Sequence, residues 1–257
     1  MYSAWAIKKR FMTLFLLGAI GLSAFAAYVF ISMYQPPSCY DNKLNQDEIG
    51  IDCGGMCSLM CSSQINPLNT VWTRVFEIRE GMWSAISYTE NPNPEAYSKE
   101  ANYVFSLYDR DVVLLKEVHG STYITHDPVL PVFHGRIEIE GTDKPYRTVF
   151  KWENEPDWYR VDDVYDLIVQ EQKYTYTQNG PEVSASLINQ QPRAIKDIEV
   201  VAIVYGADKN AIAASKTYVD YLPARGKREI TFSWINPFAT SIERIEIIPR
   251  VPLQEVN

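Results

Sequence analysis

Residues 102–109, "NYVFSLYD", decide the fold class. The run is short, rich in aromatic and branched side chains, alternates apolar with polar, and ends on an acid that favours a turn. The same texture recurs from Val71 onward in "VWTRVFEIRE", "WSAISYT", "RTVFKW", "YDLIVQEQKYTYT", "VSASLIN", "DIEVVAIVYG" and "REITFSW". Pro, Gly, Asn and Asp separate these runs, and none of them carries an apolar stripe of helical period. Such alternation buries one face of each strand and wets the other, which predicts an all-β chain built as sandwiches.

The stretch also has a counterpart downstream. "YVFSLYD" matches "VVAIVYG" with Tyr108 on Tyr205, an offset of 97; "SAISYTENPN" matches "VSASLINQQP" with Asn91 on Asn189, an offset of 98; "STYI" (121–124) matches "KTYV" (216–219), an offset of 95. Three matches in one order predict two homologous modules, 67–157 and 158–257, each near the size of an immunoglobulin-like sandwich of ~100 residues. The charged and proline-bearing stretch "ENEPDWYRVDD" (153–163), with Asp162-Asp163, marks the boundary. Its shortness predicts a semi-rigid rod, roughly 80 Å long if the modules stand end to end.

Phe105-Ser106-Leu107-Tyr108-Asp109 spells F-x-L-Y-D and resembles the FxLYD-type immunoglobulin-like domains of bacterial and archaeal proteins held by a single membrane anchor. In the second module Leu222-Pro223, Gly226 and Phe232 resemble that family's L-x-P-G turn and the aromatic strand after it. The signature itself is replaced there by Ala202-Ile203-Val204-Tyr205-Gly206. The resemblance implies a sandwich and implies no chemistry, because one scaffold hosts many functions.

Upstream, Lys8-Lys9-Arg10 precede the uncharged run Phe11 to Tyr34, which Gln35-Pro36-Pro37 ends. As a helix this run reaches roughly 36 Å, enough for a hydrocarbon core of ~30 Å. Three cations ahead of the span predict a cytoplasmic 1–10, a transmembrane anchor at 11–34 and an exported remainder in the plasma membrane's outer compartment. Cleavage of a signal peptide after Ala26 is the competing expectation, against which the apolar run continues through Ile31. The net charge is −8; residues 1–10 carry +3, leaving about −11 outside. So acidic a surface repels phosphate backbones and argues against nucleic acid. No Asn begins an N-x-[ST] sequon.

All four cysteines, Cys39, Cys53, Cys57 and Cys61, fall in 35–66, spaced C-x13-C-x3-C-x3-C. In an oxidising compartment they predict two disulfides whose pairing the spacing leaves open. Zinc would favour C-x2-C pairs with a nearby His, and a redox centre C-x-x-C in a βαβ unit. The pattern C-x-D-x-x-x-N-x-x-E-x-x-x-D-C-G-G-x-C resembles small cysteine-rich modules of exported bacterial proteins. Asp41, Asn45, Glu48 and Asp52 could offer oxygens to Ca²⁺; the plainer expectation is that Asp41 and Asp52 cap turns. No other cofactor is expected.

No nucleophile elbow, P-loop or metalloprotease motif occurs, and His119, His126 and His134 lack helical spacing, so a non-enzyme is expected. The Asn91-Pro92-Asn93 turn and the Trp158-Tyr159 pair are the candidate binding residues. Trp158 and Tyr159 are expected either to wedge the modules at a fixed angle or to form an exposed patch. The function expected is contact: docking on an envelope protein, or self-association in a surface assembly. A glycan or ligand receptor, and an accessory subunit of an envelope enzyme or transporter, are the alternatives.

Overall fold

A computed structural model describes residues 4–33, 38–45, 47–141, 143–161 and 164–252. Tyr34, Pro36-Pro37 and Asp162-Asp163 lie outside the described residues. The chain divides into two compact units, Met1–Met56 and Cys57–Asn257. The division therefore runs through the cysteine-rich stretch.

The first unit begins with a helix, α1 (Ala4–Met33). It starts before Phe11 because the Lys8-Lys9-Arg10 triplet has good helix propensity and simply extends the apolar run. The loop 38–45 and 47–56 follows, with a bridge between Gly50 and Cys53.

The second unit is all-β. Its strands are β1 (Asn69–Arg79), β2 (Met82–Glu90), β3 (Ala96–Tyr108), β4 (Leu114–Ile124), β5 (Val129–Glu138), β6 (Arg147–Trp152) and β7 (Tyr159–Arg160). Then come β8 (Leu167–Thr177), β9 (Gly180–Asn189), β10 (Ile195–Gly206), β11 (Ala211–Leu222), β12 (Lys227–Ser233) and β13 (Ile242–Arg250). The sheets run β1-β2-β5 and β4-β3-β6 in the first module, β8-β9-β12 and β11-β10-β13 in the second. The two orders are the same topology repeated, and each pair of sheets closes on its own core. Phe105, Leu107, Leu130 and Phe150 fill the first, and Val183, Leu187, Val200 and Phe232 the second.

The repeat extends to hydrogen bonds. Asn91 accepts from Asn93 N (3.0 Å) and donates to Thr125 O just past β4 (2.7 Å). Asn189 accepts from Gln191 N (2.9 Å) and donates to Pro223 O just past β11 (3.0 Å). In both modules a buried asparagine ties one sheet's strand end to a loop of the other. One alignment shifts. Tyr103 pairs with Gly120 and Val200 with Thr217, so residues 121–124 correspond to 218–221 rather than 216–219. A slip of two keeps every side chain on the same face, so the sequence pattern alone could not detect it.

The two modules do not stand end to end. The outer face of β1-β2-β5 packs on the outer face of β11-β10-β13 around Ile86, Val201, Ile203, Tyr205 and Ala214, with Trp72, Phe76, Tyr88, Phe133 and Ile248 against them. Within this unit the four sheets therefore stack as layers, and the expected rod is replaced by a side-by-side pair whose lengths do not add. The reason is apolar area on both outer faces. Ile86, Val201 and Ile203 are completely buried, and each such side chain contributes about 1.5–3 kcal/mol against remaining exposed.

Candidate functional site

The junction between the modules holds the most tightly bonded polar groups of the second unit. Arg250, at the end of β13, is 1% exposed, and Glu199 on β10 is 5% exposed. Arg250 Nη1 donates to Glu199 Oε1 (2.7 Å) and to Pro131 O of the first module (3.1 Å). Its Nη2 donates to Thr122 Oγ1 (3.1 Å) and to Tyr123 O. The second Glu199 oxygen accepts from Lys216 Nζ (3.1 Å) and the Tyr218 hydroxyl (3.2 Å). Burial disfavours the Lys216 ammonium, yet the Glu199 carboxylate and the Tyr218 hydroxyl together outweigh it and hold its pKa above the ordinary lysine value. Burial, aided by the Glu199 charge and opposed by Arg250, pushes the Tyr123 phenol up.

A second clamp lies across the same junction. Glu246 accepts from the Tyr88 and Tyr205 hydroxyls, one at each oxygen, both at 3.1 Å. Burial, reinforced by Glu246, pushes Tyr88 up to about 12. Trp72 stacks on Tyr88 at 5.2 Å, and the Arg244 guanidinium lies 4.1 Å from the Tyr205 ring centre. Buried charges cost several kcal/mol each unless matched. Here Glu199 is matched by Arg250 and Lys216 within the second module, and Arg250 also donates to neutral acceptors of the first, which ties the two modules together. A single acid inside the apolar run "DIEVVAIVYG" was the available signal for Glu199, since buried acids are rare without a partner.

The sequence candidates fall elsewhere. Trp158 is 4% exposed and belongs to the first module's core, with Met60, Ile65 and Leu68 packed on that core. β7 pairs with the start of β3, Met60 N donates to Trp158 O (2.7 Å), and Arg160 N donates to Ser58 O (2.8 Å). Trp158-Tyr159 thus seat the Cys57–Cys61 stretch against the first module and do not wedge the two modules. The strand ladder of the first module accordingly reaches Arg160. Tyr159 is half-buried against Tyr97 at 5.5 Å. Asn91 and Asn93 are buried in backbone bonds, Asn93 Nδ2 reaching Asn66 O at 2.8 Å; Pro92 is exposed. Buried amides committed to backbone groups leave the turn no free side chain but Pro92 to offer a ligand.

All four cysteines are disulfide-bonded. In the first unit, Asp52 accepts from Asp41 N (3.0 Å) and Asn42 N (2.9 Å), and Asp41 accepts from Lys43 N (3.0 Å) and Asn45 Nδ2 (2.8 Å). Glu48 accepts from Asn45 N (3.1 Å). The Asn45 bond, then those from Ser38 and Lys43, hold the Asp41 carboxyl below its usual range. These oxygens work as turn caps, the plainer of the two expectations. Gly55, at φ +59°, passes so close that a Cβ would lie 1.8 Å from Asp47 O; only glycine fits. His119 bonds Glu153 (2.6 Å) and His134 meets the Tyr103 hydroxyl (3.2 Å). The three histidines do not converge.

Several clefts open on the second unit. One of about 500 Å³ lies between β1 and β6. Another, of about 690 Å³, lies between the modules under the 233–239 loop, with Phe76, Ile212, Trp234 and Phe238 in its wall.

No protein-family model and no curated protein matches this chain. Among solved structures, a red sea bream transglutaminase aligns at 9% identity over 70% of this chain, which spans 29% of that one, with a TM-score of 0.23. The N-terminal tandem CBM22 domain of a Paenibacillus barcinonensis protein aligns at 9% identity over 76% of this chain and 89% of that one, with a TM-score of 0.16. Likenesses this distant carry no statement about activity.

Proposed function

We propose that the protein is a non-enzymatic, single-pass envelope protein that presents a rigid pair of β-sandwiches for protein contact outside the membrane. The observation that supports this reading is a contrast in where apolar surface lies. α1 exposes Phe11, Phe15, Leu17, Ile20, Leu22 and Ile31 around its whole circumference, and its segment Lys8–Met33 is long and apolar enough to cross a bilayer. A helix greasy on every side calls for lipid. The β body gathers most of its apolar side chains into three buried clusters and leaves others, such as Val112 and Tyr146, exposed singly. Lys8, Lys9 and Arg10 ahead of the span favour an N-in orientation, which puts the disulfides in an oxidising space.

Photocrosslinking in intact cells, followed by mass spectrometry, tests the contact role. A stoichiometric protein neighbour is the expected result. Recovery of the monomer alone, together with binding to a glycan array, would replace contact by reception of a ligand. Protease added to spheroplasts tests orientation, and the C-terminal 200 or so residues should be trimmed.

A further inference from the structure

The loop of the first unit is turned inside out. Residues 38–56 are too short a stretch to bury a core, and disulfide-bonded Cys39 and Cys53 hold it together with carboxylate caps. Asp41, Asn45, Glu48 and Asp52 are half-buried against its own backbone. Tyr40, Leu44, Ile49, Ile51 and Met56 stand out instead, between 56% and 84% exposed. Among the described residues, these five large apolar side chains in a stretch of 19 compare with eleven exposed in all of 57–252. Bridges and caps make the fold here, so it asks nothing of the five, and their apolar surface is left for something outside the loop.

Three of the five are drawn together by backbone bonds. Asp52 accepts from Asp41 N (3.0 Å) and Asn42 N (2.9 Å), which fastens the turn bearing Ile51 beside Tyr40. Ile49 N donates to Cys53 O (3.1 Å), closing 49–53 on itself. What lies next to this corner follows from the chain. Tyr40 comes seven residues after Met33, where α1 ends, a tether of at most roughly 25 Å. A bilayer crossed by α1 therefore presents its interface within reach, and a tyrosine, apolar in its ring and polar at its tip, suits that depth. Asp41, Asp47, Glu48 and Asp52 against Lys43 leave the stretch at net −3, which favours headgroups without net charge.

We propose that the cysteine-rich loop lies on the bilayer that α1 crosses, with Tyr40, Ile49 and Ile51 dipping into an interface of uncharged headgroups. The capping carboxylates of Asp41 and Asp52 stay at the hydrated level, bonded to backbone N–H groups, while the apolar side chains reach the acyl boundary. The inference rests on the membrane reading above and assigns the loop a lipid contact of its own, separate from the anchor.

The full chain is reconstituted in phosphatidylcholine nanodiscs with a fluorescent amino acid in place of Tyr40, Ile49 or Ile51. The same probe at Phe15 of α1 gives the lipid reference, and at exposed Val113 the water reference. Phosphatidylcholine brominated in its acyl chains should quench the three loop probes by roughly twofold, and acrylamide should quench them about half as strongly as at Val113. Ile49→Ser with Ile51→Ser should return the Tyr40 probe to the acrylamide access of Val113. Equal or stronger lipid quenching after phosphatidylglycerol is added overturns the choice of uncharged headgroups. Acrylamide access equal to that at Val113 in the unaltered chain, or lipid quenching as strong at Val113 as in the loop, overturns the proposal. Shielding of the loop from both quenchers overturns it too, making a protein the occupant. Lipid quenching at Phe15 without any in the loop refutes this inference and leaves the anchor standing; its absence at both sites refutes the anchor as well.

Discussion

β3 and β10 are the same strand in two modules, yet they live in different surroundings. On β3 the inward side chains are Tyr103, Phe105 and Leu107, while Val104, Ser106 and Tyr108 face outward and are half-buried. On β10 the corresponding outward positions are Val201, Ile203 and Tyr205, and all three are buried by the first module. The opposite sheets show the reverse. Ile86 and Tyr88 of β2 face the junction, while Ser184 and Ser186 hold those places on β9. Ile86, Tyr88, Val201, Ile203 and Tyr205 thus sit on the two mated faces, while Ser106, Ser184 and Ser186 sit among the residues of the free ones. The free faces carry polar pairs instead: Glu117 accepts from the Ser106 hydroxyl (3.2 Å), and Glu171 from the Ser186 hydroxyl (2.8 Å) and Lys227 Nζ (2.6 Å).

The strongest way to break this asymmetry is at Arg250. Arg250→Met leaves Glu199 buried with Lys216 as its remaining cation, and should cost about 3–5 kcal/mol in urea unfolding. Unfolding should also split into two steps as the modules separate. Next is an exchange of faces. Ile203→Ser puts a free-face residue on the mated face and should cost about 2–4 kcal/mol by the same measurement. The mirror change Ser106→Ile should lie within about 0.5 kcal/mol of neutral. Equal costs for the two would mean that the faces are not distinguished by burial.

A smaller effect is expected from pH. Burial, then the Lys216 charge, lowers the pKa of His134 from its ordinary 6.5. The unfolded chain therefore takes up the proton first. Stability is complete above about pH 6.5 and declines as pH falls from there through the lower folded value. Thermal melts should show the loss, and His134→Gln should flatten it.

The smallest effect separates two equivalent turns. The β3–β4 and β10–β11 hairpins both need a left-handed residue, supplied by Val112 (φ 63°) and Lys209 (φ 62°). A β-branched residue is strained there, and Val112 is 63% exposed, so nothing around it offsets the strain. Val112→Gly should stabilise by roughly 1 kcal/mol and Lys209→Gly by less, read as midpoint shifts in urea.

Much of this was legible beforehand. The alternation in "NYVFSLYD" and the repeat that sets Asn91 on Asn189 pointed to paired sandwiches, because period and turn chemistry are local properties, whereas the burial of both asparagines is a tertiary outcome. The place of Trp158 was not legible. A tryptophan beside a charged linker reads as a junction residue, and only the pairing of β7 with β3 puts it in the first core. The face-to-face junction was half legible. "DIEVVAIVYG" is apolar at nearly every position, as strands buried on both faces are, but nothing in it says what covers the second face.

Composition and order along the chain determined the greasy helix, the disulfide-bonded cysteines and the strand content, because each depends on neighbours a few residues away or on the compartment. Tertiary structure alone decided that the modules lie side by side and that Glu199 meets Arg250, 51 positions later. Those outcomes depend on which apolar faces find each other, and free energy of burial depends on area brought together in space, wherever along the chain that area is encoded.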